Sequence, residues 1–395
     1  MFRRVILIIL DACGIGELPD ADKYGDRGAA TIPNIARQSG GLKMPSCGRL
    51  GMGNITSIKG LDPVDCPAGC FGMMAEKSPG KDSTSGHWEI GGIILDKPFP
   101  VYPNGFPKNL VEIFERTANV KTIGNIPASG TEIIQQLGGR HCQTGEIILY
   151  TSADSVFQLA AHEDIIPLER LYDICMKARE ILRGDHAVGR VIARPFTGKP
   201  GDFSRTANRR DFSLAPPSPT VFDIMKEKGI PSVAIGKIYE LYACRGFSRA
   251  VKTTGNKEVM SRIIEQMTMV ENGLIFANLV DFDMLWGHRN DTPSFKRGLE
   301  DFDCGLEDIL SRLSGQDLLI ITADHGCDPT LKHSTDHTRE YVPLLAYNNR
   351  IRCGISLGRR DTFADVAVTL AEIFELNYNF PGRSFLESIV KTMEH

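Results

Sequence analysis

Arg3-Arg4-Val5-Ile6-Leu7-Ile8-Ile9-Leu10-Asp11 sets an unbroken apolar run between two arginines and a carboxylate. Leu274-Ile275-Phe276-Ala277-Asn278-Leu279-Val280 leads in the same way into Asp281-Phe282-Asp283, with His288 five residues beyond. Asp317-Leu318-Leu319-Ile320-Ile321-Thr322-Ala323 leads into Asp324-His325, with His337 soon after. Short β-branched runs bounded by polar residues read as strands of a parallel sheet buried on both faces. Ligands of such sheets bind outside the carboxyl ends of the strands. The three runs therefore predict one site of carboxylates and imidazoles, assembled from distant parts of the chain.

Working outward, further strand signals fall at residues 232–235 and 342–346, and they alternate with helical periodicity over 257–270, 295–313 and 361–374. Strand–helix alternation implies βαβ units and a mostly parallel sheet flanked by helices. The middle of the chain differs. Pro98, Pro100, Pro103 and Pro107 punctuate one crossing, and Pro216, Pro217 and Pro219 another. Between them lie strands at 147–150 and 188–192 and an amphipathic helix with Leu168, Leu171, Ile174, Cys175, Ala178, Ile181 and Leu182 on one face. This pattern predicts an α/β core from residues 1–98 and 217–395, interrupted by an inserted domain over 99–216. A chain of 395 residues is long enough for both.

Composition narrows the function classes. With 42% hydrophobic and 24% charged residues the chain reads as an ordinary globular protein. A net charge of −4 argues against a nucleic-acid partner. The local cluster of Arg205, Arg209 and Arg210 reads as a solvated loop or a small-anion site. Among ten cysteines, Cys66 and Cys70 sit four apart with no second pair to complete a zinc site, so reduced thiols and a cytoplasmic location are expected. The start, Met1-Phe2-Arg3-Arg4, imitates a signal peptide, but its apolar run ends at Asp11 without a small-residue cleavage site. No run approaches the roughly 18 apolar residues of a membrane span, so no membrane partner is expected. Monomer and small homo-oligomer both remain open.

Asp11, Asp283, His288, Asp324, His325 and His337 are the candidate metal ligands. Taken singly, each Asp reads as a helix cap and each His as a surface residue. Together at three strand ends they offer oxygen and nitrogen donors without thiolate, which suits Mn²⁺, Zn²⁺ or Mg²⁺ and favours Mn²⁺. Six ligands are too many for one four-coordinate ion and suit two. Paired ions clamp the attacking and leaving oxygens of a phosphoryl group. Gly80-Lys81-Asp82-Ser83-Thr84-Ser85-Gly86-His87-Trp88-Glu89 adds three hydroxyls between a Lys and a His. Any of the three becomes a nucleophile once a base or metal activates it; otherwise the segment is a turn whose Ser and Thr cap the next helix. A P-loop is excluded, because Asp82 follows Gly80-Lys81 and Ala75 stands at the first glycine position. Pro19 likewise breaks the dinucleotide fingerprint begun by Gly14 and Gly16. In the middle segment, Asp154 after Tyr150-Thr151-Ser152-Ala153 could bind sugar hydroxyls, and Arg190, Arg194 and Arg205 could fork onto a phosphate. Lys237 after Gly236 could add a point charge.

These stretches resemble the bacterial phosphopentomutase family of the alkaline phosphatase superfamily. The resemblance rests on Lys81-Asp82-Ser83-Thr84-Ser85-Gly86-His87-Trp88-Glu89, Val280-Asp281-Phe282-Asp283 with Gly287-His288-Arg289-Asn290-Asp291, and Thr322-Ala323-Asp324-His325-Gly326. Pro127-Ala128-Ser129-Gly130-Thr131-Glu132, Thr151-Ser152-Ala153-Asp154-Ser155, Ile192-Ala193-Arg194-Pro195-Phe196 and Thr335-Asp336-His337-Thr338-Arg339-Glu340 support it. It implies an alkaline-phosphatase-like core with an inserted α+β cap and two Mn²⁺ ions. Asp11, Asp324 and His325 would hold one ion, and Asp283, His288 and His337 the other. Ser83, directly after Lys-Asp, would carry the phosphoryl group, with Lys81 neutralising it. Ser152, Asp154, Arg190, Arg205 and Lys237 would contact the substrate. Two departures stand out: the family nucleophile is usually Thr, and the stretch before His337 is one residue longer, which makes His333 a rival ligand.

The resemblance implies an isomerase that interconverts ribose 1-phosphate or 2-deoxyribose 1-phosphate with the 5-phosphate through a phosphoserine and a 1,5-bisphosphate. A sugar bisphosphate such as glucose 1,6-bisphosphate would activate it. The cap would close to keep water from the phosphoserine. A metal-dependent phosphatase shares the metal logic and would release free phosphate. A cofactor-independent phosphoglycerate mutase has a different nucleophile signature, and a non-catalytic metal-binding protein would carry no phosphorylated residue.

Overall fold

The computed structural model describes residues 2–152 and 154–390; Met1 and Ala153, which fall in stretches quoted above, lie outside them. The chain divides into two compact units, one joining the chain up to Lys97 with the chain from Pro216 onward, the other Pro98–Ala215. Both crossings fall at prolines, one residue ahead of the expected bounds, where the missing N–H interrupts any ladder.

Among the described residues the first unit is built on a nine-stranded sheet. Across it lie Arg249–Val251, Ser232–Ile235, Gly273–Leu279, Arg4–Leu10, Asp317–Thr322, Glu340–Tyr347, Cys70–Met74 and Ser356–Arg360, with Gly16–Glu17 paired to the start of Glu340–Tyr347. The first five are mutually parallel, while Glu340–Tyr347 runs antiparallel to both neighbours. Every residue of Arg4–Leu10, Gly273–Leu279 and Asp317–Thr322 is buried, as cover on both faces requires. The helix Asn256–Met269 packs on Gly273–Leu279, and Thr292–Arg312 packs on that helix. The second of these buries Phe295, Leu299, Phe302, Leu306 and Ile309 at helical spacing. It starts three residues before the first apolar position, because the Asp291 side chain caps it by accepting from Ser294 N at 3.1 Å and Pro293 suits its first turn.

Register decides what meets at the sheet edge. Leu10 stands opposite Leu279, and Ile9 opposite Thr322. Asp11 and Asp324 therefore leave the sheet at one level, with Asp281 and Asp283 just beyond. At the other end of the same strands, Arg4 and Asp317 form a buried bidentate pair (Nε–Oδ1 and Nη2–Oδ2, both 2.8 Å), and Arg4 Nη1 also donates to the carbonyls of Met267 and Val270.

Among its described residues the second unit has its own six-stranded mixed sheet, ordered Thr122–Pro127, Ile147–Thr151, Val156–His162, Arg190–Lys199 and Asp202–Arg205, with Arg210–Ser213 also paired to Arg190–Lys199. Alternation along the strands splits its core in two. Ile147, Leu149, Phe157 and Leu159 pack with Leu110 and Phe114 of Lys108–Ala118 and Leu171, Ile174 and Ala178 of Leu168–Ile181. Ile148, Tyr150 and Ala160 face the other way, with Ile133 and Ile134 of Gly130–Thr144. The strand expected at 188–192 runs on to Lys199 through Pro195. That proline is tolerated because Arg210–Ser213 pairs only up to Ala193 and Asp202–Arg205 only from Phe196, so no partner on that side needs its N–H.

Asp317→Ala strips the partner from the buried Arg4 guanidinium and is expected to cost about 3–5 kcal/mol in denaturant unfolding. The double change Arg4→Met with Asp317→Leu should recover most of that loss.

Candidate metal centre and nucleophile

Each strand end turns sharply to aim its polar side chain at a common point. After Asp11 the chain enters the left-handed region at Ala12 (φ 65°), where its N–H donates to Asp324 Oδ1 at 3.2 Å and its carbonyl accepts from Cys327 N at 3.1 Å. A non-glycine residue in this region costs on the order of 1–3 kcal/mol and persists only where surrounding contacts over-determine it. After Leu279 the chain passes into a π-helical turn, Phe282–Trp286, that buries Asp283, and then a 3-10 turn, Gly287–Arg289, that presents His288. Such wide turns recur at functional sites because they redirect side chains.

The residues come together as two overlapping groups. His325 Nε2 lies 3.4 Å from Asp11 Oδ1 and 3.3 Å from Asp324 Oδ2. Asp283 Oδ1 lies 3.2 Å from His288 Nε2 and 3.3 Å from His337 Nε2. The rings of His325 and His337 stand 4.2 Å apart between centroids, which joins the groups. His333 is exposed, whereas His337 is buried against Asp283. Asp11 Oδ1, Asp283 Oδ1 and Asp324 Oδ2 are buried yet accept no hydrogen bond. His325 Nδ1 meets Gly326 O at 2.9 Å and His288 Nδ1 meets Thr335 O at 2.7 Å. A carbonyl can only accept, so both rings carry their proton on Nδ1 and turn the Nε2 lone pair inward, as metal-ligating histidines do. Orphaned carboxylate oxygens facing imidazole lone pairs form a donor set that fits divalent cations.

Electrostatics express the same need. Burial and the charge of Asp324 raise the Asp11 carboxyl above its ordinary range. Burial also works against ionisation of Asp283, but His337 and His288 outweigh it and hold that carboxyl well below the usual range. At His325 burial opposes the charged ring, yet Asp324, Asp11 and Asp283 hold its basicity well above that of ordinary imidazole.

Of the three hydroxyls, Ser83 is the one brought to this cluster. Its Oγ lies 3.2 Å from His325 Nε2, while Ser85 Oγ donates to Asp82 O at 2.9 Å. Ser83 opens the helix Ser83–Ile90, and the cap is Asp82, which accepts from Thr84 N and Ser85 N. The alternative of a Ser or Thr cap is therefore corrected: the carboxylate takes that place and leaves Ser83 Oγ to face the cluster. Two further residues hold the helix. Gly86 lies so close to Asp324 that a Cβ there would stand 2.1 Å from its carbonyl oxygen. His87, four residues after Ser83 and so on the same helix face, meets Ser83 O at 2.8 Å and Asp324 Oδ2 at 3.0 Å. Asn278 Nδ2 donates to both Asp11 Oδ2 (3.0 Å) and His87 Nε2 (3.2 Å).

Lys81, expected to neutralise the transferring group, is held at 3.1 Å by both oxygens of Asp26 and lies 3.4 Å from Asp336. Lys237 is half-buried, and its charge reaches Asp11. In the second unit Arg190 stands 3.7 Å from Asp154 and 3.5 Å from Asp211, which Arg209 grips bidentately at 2.7 Å. Arg194 donates to Gln158 at 3.1 Å, and burial together with Arg209 pushes its basicity down to about 10. Arg205 is exposed and adds its charge beside Tyr150 and Arg194. Ser152, half-buried, follows the strand Ile147–Thr151.

Sequence reasoning missed His87, Asn278 and Cys327, whose thiol falls in a potential ligand group with Asp283 and His288. Asn278 did leave a signal, as the one polar residue inside a fully buried strand.

The family model of the Metalloenzyme superfamily matches residues 3–378, the class that this cluster defines. Curated relatives narrow it. The phosphopentomutase of Caldanaerobacter subterraneus subsp. tengcongensis is 56% identical over 389 residues, covering 98% of each chain. Those of Clostridium novyi (53% over 391 residues; 99% of this chain and 100% of the relative) and Dictyoglomus turgidum (55% over 389 residues; 98% of each) are similarly close. The chain belongs to the phosphopentomutase family within that superfamily.

Gly86→Ala should push the helix away from Asp324 and carry Ser83 with it. A shift near 1 Å is expected to lower kcat about 100-fold, with the circular dichroism spectrum unchanged.

Proposed function

We propose that the chain interconverts ribose 1-phosphate or 2-deoxyribose 1-phosphate with the corresponding 5-phosphate, through phospho-Ser83 and a pentose 1,5-bisphosphate. The observation that carries this reading is Ser83 Oγ, 3.2 Å from His325 Nε2 at the edge of the Asp–His cluster, in a chain 56% identical to a phosphopentomutase. Asp11, Asp324 and His325 are assigned to one metal ion, and Asp283, His288 and His337 to a second. Mn²⁺ is assigned to both because the donors are carboxylate and imidazole. Cys327 is left out of both sets because carboxylate and imidazole donors suit Mn²⁺ better than sulfur. When bound, the ions would neutralise phosphoryl oxygens and ease ionisation of a hydroxyl.

The protein's own groups account for the rest. Ser83 stands at a helix N-terminus, where the backbone dipole favours the negative charge of a phosphoserine. In the first half-reaction the free hydroxyl of the pentose monophosphate attacks the phosphorus. The Oγ–P bond breaks, the sugar O–P bond forms, and the hydroxyl proton returns to Ser83 Oγ. After the bisphosphate reorients, Ser83 Oγ attacks the other phosphorus and the proton passes to the departing sugar oxygen. Arg190 and Arg205 are assigned to a phosphate, and Asp154 and Ser152 to sugar hydroxyls. Lys237 adds positive field near Asp11, while Lys81 acts through Asp26 rather than as a free cation. Glucose 1,6-bisphosphate is the proposed source of the first phosphoryl group, and the ten free cysteines support a reducing, cytoplasmic setting. No helix among the described residues is long and apolar enough to cross a membrane.

Incubation with glucose 1,6-bisphosphate followed by peptide mass spectrometry should place one phosphate on Ser83. Ser83→Ala should abolish turnover while both metal ions remain bound; full activity in that variant would transfer the role to Thr84 or Ser85. Free phosphate as the main product would make the protein a hydrolase instead.

Arg205→Ala should raise KM for ribose 5-phosphate about tenfold or more, in line with the loss of a charge-assisted hydrogen bond worth roughly 1.5–3 kcal/mol. A change confined to metal content would remove Arg205 from phosphate binding.

A further inference from the structure

The segment from Glu76 to Asp82 joins the strand Cys70–Met74 to the helix that begins at Ser83, and no strand among the described residues pairs with it. Its carbonyls must find donors elsewhere, because buried backbone acceptors are rarely left unmet. Three of them turn to a single side chain. Arg339 donates from Nη1 to Ser78 O (2.8 Å) and Gly80 O, and from Nη2 to Glu76 O (2.9 Å). The same guanidinium meets the Glu76 carboxylate through Nη1 at 3.0 Å, and Asp20 through Nε at 3.2 Å and Nη2 at 3.4 Å. Its carbon lies 5.2 Å from the centre of the Tyr24 ring, and the side chain is only 4% exposed.

The main chain of Arg339 closes the loop from the other side. Its N–H donates to Asp26 Oδ2 at 2.9 Å, and Asp26 in turn holds Lys81, the second residue before Ser83. Arg339 is also the second residue after His337, which meets Asp283. One residue thus spans from the Asp–His cluster to both flanks of the segment that delivers Ser83. Only a planar fork of five N–H donors reaches acceptors on so many sides; a lysine ammonium offers three donors at one point.

We infer that Arg339 is a positioning residue that sets where Ser83 Oγ stands relative to the Asp–His cluster, and so governs the rate of phosphoryl transfer to and from Ser83 without touching substrate. The inference rests on the phospho-Ser83 reading. With the segment loosened, Ser83 loses its alignment, while the groups assigned to the pentose phosphate are untouched. The effect therefore falls on kcat and not on KM.

The test uses the full-length, metal-loaded protein and follows phosphate appearing on Ser83 from glucose 1,6-bisphosphate by mass spectrometry. Arg339→Lys should slow that step about 100-fold, the scale of a misplacement near 1 Å. KM for ribose 5-phosphate should stay within about twofold, which is under 0.5 kcal/mol at about 1.4 kcal/mol per tenfold. Added guanidinium should restore part of the rate in Arg339→Ala. Phosphorylation of Arg339→Lys at the wild-type rate would overturn the inference, as would a parallel loss of bound metal, which would place the effect on the ligands. If the Arg339 variants do not fold, Asp20→Ala releases the Nε edge of the guanidinium and carries the same test. Slower phosphorylation at unchanged KM supports the role, and wild-type rates overturn it. A wild-type protein that takes no phosphate on Ser83 would instead defeat the underlying phosphopentomutase mechanism.

Discussion

Three carboxylates, Asp11, Asp283 and Asp324, share a volume from which water is excluded. Like charges so placed repel far more strongly than they would in solvent. The protein itself answers only in part: Asp11 tends toward its protonated form, while imidazoles of His325, His337 and His288 lean against the other two. Each carboxylate nevertheless keeps an oxygen without a hydrogen bond. That imbalance is what divalent cations relieve, and the histidines are arranged for it: His325 and His288 set Nδ1 against backbone carbonyls and turn Nε2 toward the carboxylates.

The rest of the first unit follows from keeping that cluster together. Parallel pairing of Gly273–Leu279, Arg4–Leu10 and Asp317–Thr322 brings the acidic ends to one edge, and a slip of register would separate them. At the opposite edge Arg4 and Asp317 neutralise each other, so the polar groups at that end need no water. The left-handed backbone at Ala12 turns the chain just after Asp11, and Gly86 lets the Ser83 helix lie against the backbone of Asp324. The Asp–His cluster and the Ser83 helix are thus one structural problem, solved where His87 touches both Ser83 and Asp324.

Much of this was legible in the chain. The buried strands declared themselves by composition and the helices by apolar spacing. Residues that escaped notice act through partners remote in sequence. His87 and Arg339 lie inside motifs, yet nothing local reveals that one ring spans Ser83 and Asp324, or that one guanidinium gathers three carbonyls. At Lys81 the charge is evident in the chain, but not that Asp26, more than fifty residues earlier, pairs with it. The strand through Pro195 was cut short because propensity penalises proline without knowing which side of the strand lacks a partner.

The sequence by itself determined the α/β class, the identity of the Asp, His and hydroxyl groups, and the family. These follow from residue type and local periodicity, which are properties of neighbours along the chain. Only the tertiary structure decided which hydroxyl meets the cluster, and that His337 rather than His333 reaches Asp283. It also decided that Asp82 rather than Ser or Thr caps the helix Ser83–Ile90. Each of those choices depends on distances between segments brought together by sheet register and helix packing, and such distances are not written in any single stretch of sequence.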